Sequence, residues 1–236
     1  GRTIIIMPDT ATLSELRCAS GELGMRIHFD NFSYKAMFAA LKNTINANGR
    51  LAELRNILKG AKNPEFREVN TIRYPWLNKS QELAVNKVIS AKDVAIVHGP
   101  PGTGKTTTLV EAINETLQRE TQVLVCAQSN MAVDWISEKL CDRGISVLRI
   151  GNPVKVNDKM LAFTYERRFE SHELYPELWG IRKEMRRLTS QRKSDRAERD
   201  AVRNRLNKLR ERAYTLEYRI NTELFDSAHV IASTLV

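Results

Sequence analysis

No apolar run in the 236-residue sequence approaches the ~20 residues that a membrane-spanning helix needs. A signal peptide is also unexpected, because the apolar stretch from Thr3 to Met7 is short and lacks a small-residue cleavage site. Hydrophobic residues still make up 42% of the chain, which is enough for a packed core. We therefore expect a folded protein without a membrane segment, located in the cytoplasm or, in a eukaryote, in the nucleus.

Cysteine is scarce, and Cys18, Cys126 and Cys141 are not spaced like metal ligands. A disulfide framework is equally unexpected, which suits a reducing compartment. Cys126 lies within an apolar run, so we expect it to serve only in packing.

Acidic residues are outnumbered, with 28 Asp and Glu against 37 Lys and Arg and a net charge of +9. Most of the excess lies between Arg182 and Arg219, where 14 basic and 6 acidic residues give a net charge of +8. Such a basic segment would attract a phosphate backbone, although a solvated helix face explains it equally well.

The glycine-rich segment HGPPGTGKTTT, from His98 to Thr108, is the most informative part of the chain. Gly99 to Thr106 fits the pattern G-x-x-x-x-G-K-[ST], which binds phosphates where it joins a strand to a helix. The neighbouring patterns predict a strand over Val94–His98 and a helix over Lys105–Gln118. Glycines let successive backbone N–H groups converge on phosphate oxygens at the positive end of that helix. The sequence therefore predicts a site for a nucleoside triphosphate.

Two side chains of this loop are the candidate catalytic groups. The Lys105 ammonium can reach the β- and γ-phosphates, and the Thr106 hydroxyl can hold Mg²⁺, so a nucleotide and Mg²⁺ are the expected cofactors. The candidate nucleotide-binding residues of the loop are Gly99, Pro100, Pro101, Gly102, Thr103, Gly104, Lys105, Thr106 and Thr107.

Gln81 lies in a helix predicted over Ser80–Ala91, upstream of the loop. Its side-chain amide can bond N6 and N7 of adenine together, which would select ATP over GTP. Asn78 and Gln81 also have the spacing of a capping box, in which the two residues satisfy each other's backbone at a helix start. The spacing alone does not choose between these roles.

Gln128, Ser129 and Asn130 follow a strand predicted over Gln122–Ala127 and precede a helix predicted over Ala132–Arg143. Ser129 and Asn130 could cap that helix or contact a phosphate of an external strand, and capping is the commoner role.

Short apolar strands alternate with helices from Asn78 onward, and the pattern adds strands over Ser146–Ile150 and Val230–Thr234. This alternation predicts an α/β fold with a parallel sheet that helices cover on both faces. Ligands of such sheets bind at the carboxyl ends of the strands, where the glycine-rich loop lies.

A different pattern of predicted strands and helices precedes this domain. Strands are predicted over Thr3–Met7 and Met25–Phe29, followed by helices over Ser33–Ala47 and Leu51–Gly60. We expect the tail of a β-rich accessory domain over 1–30, stalk helices and a connector over 31–72, and the α/β domain over 73–236 with a helical insertion at about 171–226.

Two apolar stripes with heptad spacing, over Leu174–Leu188 and Val202–Ile220, mark the insertion. Between them, Thr189–Ala201 is polar apart from alanines. A single helix of ~45 residues, about 67 Å long, is one interpretation. An antiparallel hairpin is favoured, because it gives each stripe a partner.

Three blocks of the chain read LNKSQELAV, GPPGTGKTTT and VLVCAQSNMAVD. They resemble superfamily 1 helicases, in particular the branch of the up-frameshift and immunoglobulin-mu-binding helicases, whose blocks read LNxSQxxAV, GPPGTGKTTT and VLVCAPSNxAVD. The resemblance is specific over Asn78–Gly151, includes the strand end Leu148–Gly151, returns over Ala228–Thr234, and is looser over Met25–Gly60.

This resemblance implies a RecA-like P-loop NTPase domain with a helical insertion that flanks a nucleic-acid channel. It places Gln81 on adenine, and Lys105 and Thr106 on phosphates and Mg²⁺. The resemblance also implies that the backbone of single-stranded DNA or RNA is contacted by Ser129, Asn130 and Thr234. Gln128 departs from the family's proline, although its amide could itself donate to a phosphate.

An apolar strand ending in Asp-Glu is missing from the α/β part of the sequence. Hydrolysis needs such carboxylates for Mg²⁺ and water, and usually an arginine for the transition state. In the family these groups follow the point reached by Val236. We therefore expect a piece of a longer ATP-dependent helicase or translocase, without its second motor domain and with negligible turnover by itself. The resemblance implies 5′-to-3′ movement, and we expect a monomer.

Two other classes remain open. An AAA+ remodelling ATPase would explain the loop but not Gln81 or Ser129-Asn130, and would form nucleotide-dependent rings. A coiled-coil adaptor with a vestigial nucleotide site would bind a protein through Leu174–Leu224 and would not bind single strands.

Overall fold

The computed structural model describes residues 32–190 and 195–235. The chain divides into two units, residues 1–45 and residues 46–236. Among the helices of the described residues, none is both long enough and apolar enough to cross a membrane.

In the first unit, helix α1 spans Phe32–Ile45, which confirms the helix predicted from Ser33. The strands predicted over Thr3–Met7 and Met25–Phe29 lie outside the described residues. The accessory tail, stalk and connector therefore stay predictions.

The second unit follows the predicted alternation of helices and strands. Its elements are α2 (Gly49–Leu58), α3 (Lys79–Ser90), α4 (Lys105–Thr116), β1 (Val123–Ala127), α5 (Asn130–Cys141), β2 (Val147–Ile150), α6 (Tyr165–Glu170), α7 (Tyr175–Ser190), α8 (Arg196–Asp226) and β3 (Val230–Thr234). Two short 3₁₀ helices, Pro153–Lys155 and Asp158–Phe163, connect β2 to α6.

The three strands form one parallel sheet in the order β1-β3-β2. Val230 of β3 lies opposite both Val123 of β1 and Val147 of β2, so the strands are in step. Their carboxyl ends therefore share one edge, as the α/β interpretation requires. The core beside this sheet consists of Val110, Ile113, Val125, Val133, Ile136, Leu140, Val147, Val230 and Ala232.

The strand predicted over Val94–His98 is wrong. Within the described residues, the sheet consists of β1, β2 and β3, and no residue of Val94–His98 pairs with a strand. Apolar content does not make a strand without interstrand hydrogen bonds. Ile96 is accordingly among the exposed large apolar side chains.

The packing role expected for Cys126 is also wrong. Its side chain is exposed on β1, as is that of Leu124 two residues earlier. Because side chains alternate between the faces of a strand, the apolar run of β1 places Val125 in the core and its two neighbours on the other face.

The predicted helical hairpin is confirmed, because α7 and α8 pack side by side. Leu178 of α7 and Leu216 and Ile220 of α8 are fully buried in a second core. Closer to the turn, Val202 and Leu206 are only half-buried. Leu188, near the end of α7, is buried as well, so the two stripes meet as expected.

Ion pairs also join the two helices of the hairpin. Arg212 donates to Glu177 at 2.8 Å and Arg182 donates to Glu217 at 2.7 Å. A third pair joins Arg205 to Glu184. Part of the basic excess is therefore balanced within the hairpin.

Candidate nucleotide site and strand-contacting edge

The glycine-rich loop turns sharply and leads straight into α4. Gly102 and Gly104 have φ angles of +82° and +76°, which side chains rarely adopt. Gly104 is the residue before α4 begins at Lys105. The backbone N–H groups of the first helical turn therefore open onto the loop, as phosphate binding requires.

Lys105 and Thr103 fold their side chains back onto the loop. The Lys105 ammonium donates to the carbonyl oxygens of Gly99 and Pro100, both at 2.7 Å. The Thr103 hydroxyl donates to the same Pro100 carbonyl at 2.8 Å. The ammonium is thus held at the mouth of the loop, where it can exchange carbonyl oxygens for those of a phosphate.

The threonines after Lys105 face different surroundings. Thr106, the candidate Mg²⁺ ligand, is half-buried, while Thr107 is exposed. Thr108 is buried and donates its hydroxyl to the Gly104 carbonyl at 3.1 Å. Thr108 therefore closes the first turn of α4, and Thr106 lines a smaller cavity of about 260 Å³ that Lys105 also lines.

The capping role of Gln81 is confirmed. Asn78 accepts from the Gln81 backbone N–H at 2.9 Å, and the Gln81 side-chain oxygen accepts from the Asn78 N–H at 3.1 Å. The Gln81 amide nitrogen then donates to the Thr103 carbonyl in the loop, also at 3.1 Å. Gln81 therefore fastens α3 to the phosphate loop, and its contact with adenine stays a prediction.

A cleft of about 370 Å³ joins these elements. Its lining consists of Asn78, Ser80, Gln81, Ala84, Val97, His98, Gly99, Pro100, Thr103, Lys105 and Thr108. The donors that suit a polyphosphate are the backbone N–H groups at the start of α4 and the Lys105 ammonium. The positive-φ glycines shape the loop so that these donors converge. The described residues therefore fit a nucleotide with its phosphates at the start of α4.

Tyr74 and Trp76 pack the segment just before α3 against α4. The buried carboxylate of Glu111 accepts from the Trp76 indole at 2.9 Å and from Arg143 at 2.8 Å. Tyr74 is almost fully buried, and this burial raises the pKa of its phenol to about 12. These contacts fix the chain just before Gln81.

The candidates for nucleic-acid contact gather at the carboxyl edge of the sheet. Thr234 ends β3 directly opposite Ala127, and Gln128 is the first residue after β1, so both lie where the two strands end. Ser129 caps α5, because its hydroxyl accepts from the Ala132 N–H at 3.2 Å. Gln128 and Ser129 are exposed, so this edge is open to an external strand.

Asn130 is held by a buried arginine whose role the sequence reasoning missed. Arg149 of β2 is fully buried and donates to Asn130 Oδ1 at 2.8 Å and to Asp134 Oδ1 at 2.7 Å. The second oxygen of Asp134 accepts from the Asn157 N–H at 2.9 Å. The available signal was a charged residue inside an apolar strand, which needs a buried partner.

Comparisons with known proteins agree with this geometry. A family model described as an AAA domain matches residues 76–236. An uncharacterized ATP-dependent helicase of Methanocaldococcus jannaschii is 31% identical over 173 residues, which cover 70% of this chain and 26% of that protein. The DNA-binding protein SMUBP-2 of Mesocricetus auratus is 32% identical over 173 residues, covering 72% of this chain and 17% of that protein.

A higher identity is confined to a shorter stretch. The DNA polymerase alpha-associated DNA helicase A of Schizosaccharomyces pombe is 46% identical over 85 residues, which cover 36% of this chain and 13% of that protein. The chain thus spans about a quarter or less of the length of these three relatives.

Proposed function

The chain belongs to the superfamily 1 helicases, with their AAA domain over residues 76–236, and from this premise we propose that it is the ATP-binding part of a motor acting on single-stranded DNA or RNA. The observation that carries the proposal is the bond from the Gln81 amide to the Thr103 carbonyl. This hydrogen bond joins the LNKSQELAV block, which carries Gln81, to the phosphate loop in one cleft. The VLVCAQSNMAVD block lies at the carboxyl edge of the sheet.

Each group of this cleft has a proposed task. The backbone N–H groups at the start of α4 and the Lys105 ammonium hold the phosphates, and the Thr106 hydroxyl contributes to a Mg²⁺ site. Bound ATP supplies the phosphoanhydride bond whose hydrolysis drives movement. Gln81 reads the adenine edge while it keeps α3 on the loop.

At the edge of the sheet, Ser129 and Asn130 contact the strand through its phosphates. Gln128 adds an exposed amide, and Thr234 ends the neighbouring strand β3. Contacts of this kind read charge and not sequence, so we expect weak sequence preference and strong dependence on salt.

The ATP site is tested by titrating fluorescent analogues of ATP and of GTP into wild type, Lys105→Ala and Gln81→Glu. Lys105→Ala should weaken binding at least tenfold. Gln81→Glu keeps an oxygen for the capping box but loses the amide donor, so it should reduce the preference for ATP over GTP without unfolding α3. Equal affinities in all three proteins would refute the site.

In a longer protein that carries this chain, Lys105→Ala should abolish ATPase activity stimulated by single strands. We also propose that the chain is monomeric. Sedimentation with and without nucleotide should show one species, whereas nucleotide-dependent rings would favour a remodelling ATPase. A protein-binding adaptor would instead show no affinity for single strands.

A further inference from the structure

A second cleft, of about 430 Å³, lies between α5 and the turn that follows β2. Three large apolar side chains line it and yet face solvent: Met131 is 83% exposed, Trp135 46% and Val154 91%. Met131 and Trp135 are four residues apart on α5, so they lie on the same side of the helix. Exposed apolar side chains gathered at one cleft mark a binding surface.

The charges around this cleft favour an anionic partner. Asp134 is neutralised by Arg149 at 2.7 Å, and Glu138 by Lys159 at 2.7 Å. Lys155 also lines the cleft, is exposed, and forms no ion pair within the described part of the chain. The rim therefore carries one positive charge that nothing described balances.

The cleft also continues the strand-contacting edge. Met131 directly follows Asn130, and Asp134 at the base of the cleft shares the buried Arg149 with Asn130. A strand whose phosphates reach Ser129 and Asn130 thus passes the mouth of the cleft. Its bases would meet Trp135, and its next phosphate would meet Lys155.

We propose that this cleft accepts a nucleobase of the bound single strand, which stacks on Trp135 and packs against Met131 and Val154, while Lys155 contacts the adjoining phosphate. The proposal rests on the function proposed above and adds a base contact to it. The half-exposed indole of Trp135 can stack on any base, because every base has a flat aromatic face. The ammonium of Lys155, which has no ion-pair partner within the described residues, can attract the phosphate next to that base.

The experiment measures binding of the full 236-residue chain to two labelled oligonucleotides, oligo-dT and an abasic strand of equal length, by fluorescence anisotropy at fixed salt. Trp135→Ala should weaken oligo-dT binding about tenfold and leave abasic binding unchanged, since only oligo-dT can stack. Trp135→Phe, which keeps a ring, should recover most of the affinity. Lys155→Ala should weaken binding of both strands.

Trp179→Ala is the matched control. This tryptophan is 47% exposed on α7, outside the cleft, and its removal should not change the ratio between the two strands. If Trp135→Ala binds both strands like wild type, or loses affinity for both equally, the base contact is refuted while single-strand binding stands. If wild type binds neither strand, the function proposed above fails together with the base contact.

Discussion

The guanidinium of Arg149 on β2 donates to the carboxylate of Asp134 on α5 at 2.7 Å, and both side chains are buried. The same guanidinium holds Asn130, the second residue of the proposed strand contact. The pair therefore connects the inside of the sheet to the edge where a nucleic-acid backbone is expected. A buried ion pair of this kind is costly to break from one side, because the remaining charge stays buried.

Replacing Arg149 with Met should lower the free energy of unfolding by about 3 to 5 kcal/mol in urea titrations. Asp134→Asn in the same protein removes the unpaired charge and should recover part of the loss. Lys139→Met is the control, since Lys139 and Asp142 form an exposed pair three residues apart, worth less than about 1 kcal/mol. Similar losses in both single variants would contradict the importance of burial.

Gly104 and Gly144 provide a matched test of the phosphate loop. Their φ angles are +76° and +78°, so alanine at either position should cost roughly 1 to 2 kcal/mol of stability. A Cβ atom at Gly104 would lie 2.5 Å from the Gln81 amide nitrogen, whereas one at Gly144 meets nothing within 4 Å. Only Gly104→Ala should displace Gln81 and weaken binding of the ATP analogue. The prediction fails if both variants bind it like wild type.

Much of the fold could be predicted because its signals are local. Helix periodicity, Ser129 at a helix start and the glycine pattern of the loop each depend on neighbours in sequence. The strand predicted over Val94–His98 shows the limit, because strand formation depends on a pairing partner that the segment itself does not specify. Cys126 shows a second limit, since an apolar run does not reveal which face of its strand is covered.

The site divides in the same way. The loop and the capping box of Gln81 follow from spacing, and the structure contains both. The contact from Gln81 to Thr103 and the network around Arg149 join residues 22 and 15 to 19 positions apart. No periodic pattern reports such distances, so only the folded chain brings these groups together.

Tyr74 should make stability depend on alkaline pH. Its pKa is about 12 in the folded chain, because burial disfavours the phenolate, against about 10 when unfolded. The unfolded chain therefore loses the proton first, and the free energy of unfolding should fall by about 2 kcal/mol as the pH rises from 10 to 12. Tyr74→Phe should remove this component, since no described residue bonds the hydroxyl. Urea titrations at several pH values compare the two proteins, and identical pH profiles would contradict the assignment.

The salt dependence of single-strand binding tests whether basic residues of the hairpin formed by α7 and α8 contact nucleic acid. Arg203 and Arg210 lie one heptad apart on α8, are exposed, and form no ion pair within the described residues. If each neutralises one phosphate of a single strand, Arg203→Ala/Arg210→Ala should reduce the slope of log K against log salt by about 1.4. The control, Glu177→Ala/Arg212→Ala, removes an internal pair without changing the net charge and should leave the slope as it is.

The two double variants separate the competing interpretations of the hairpin. A smaller slope in the first variant alone means that the unpaired arginines lie on the nucleic acid. An unchanged slope in both means that the face is solvated, because counterions are released only from phosphates that a cation actually neutralises. Since the interhelical pairs balance part of the local charge, the contribution of this segment depends on which of its cations are unpaired, and not on its total of basic residues.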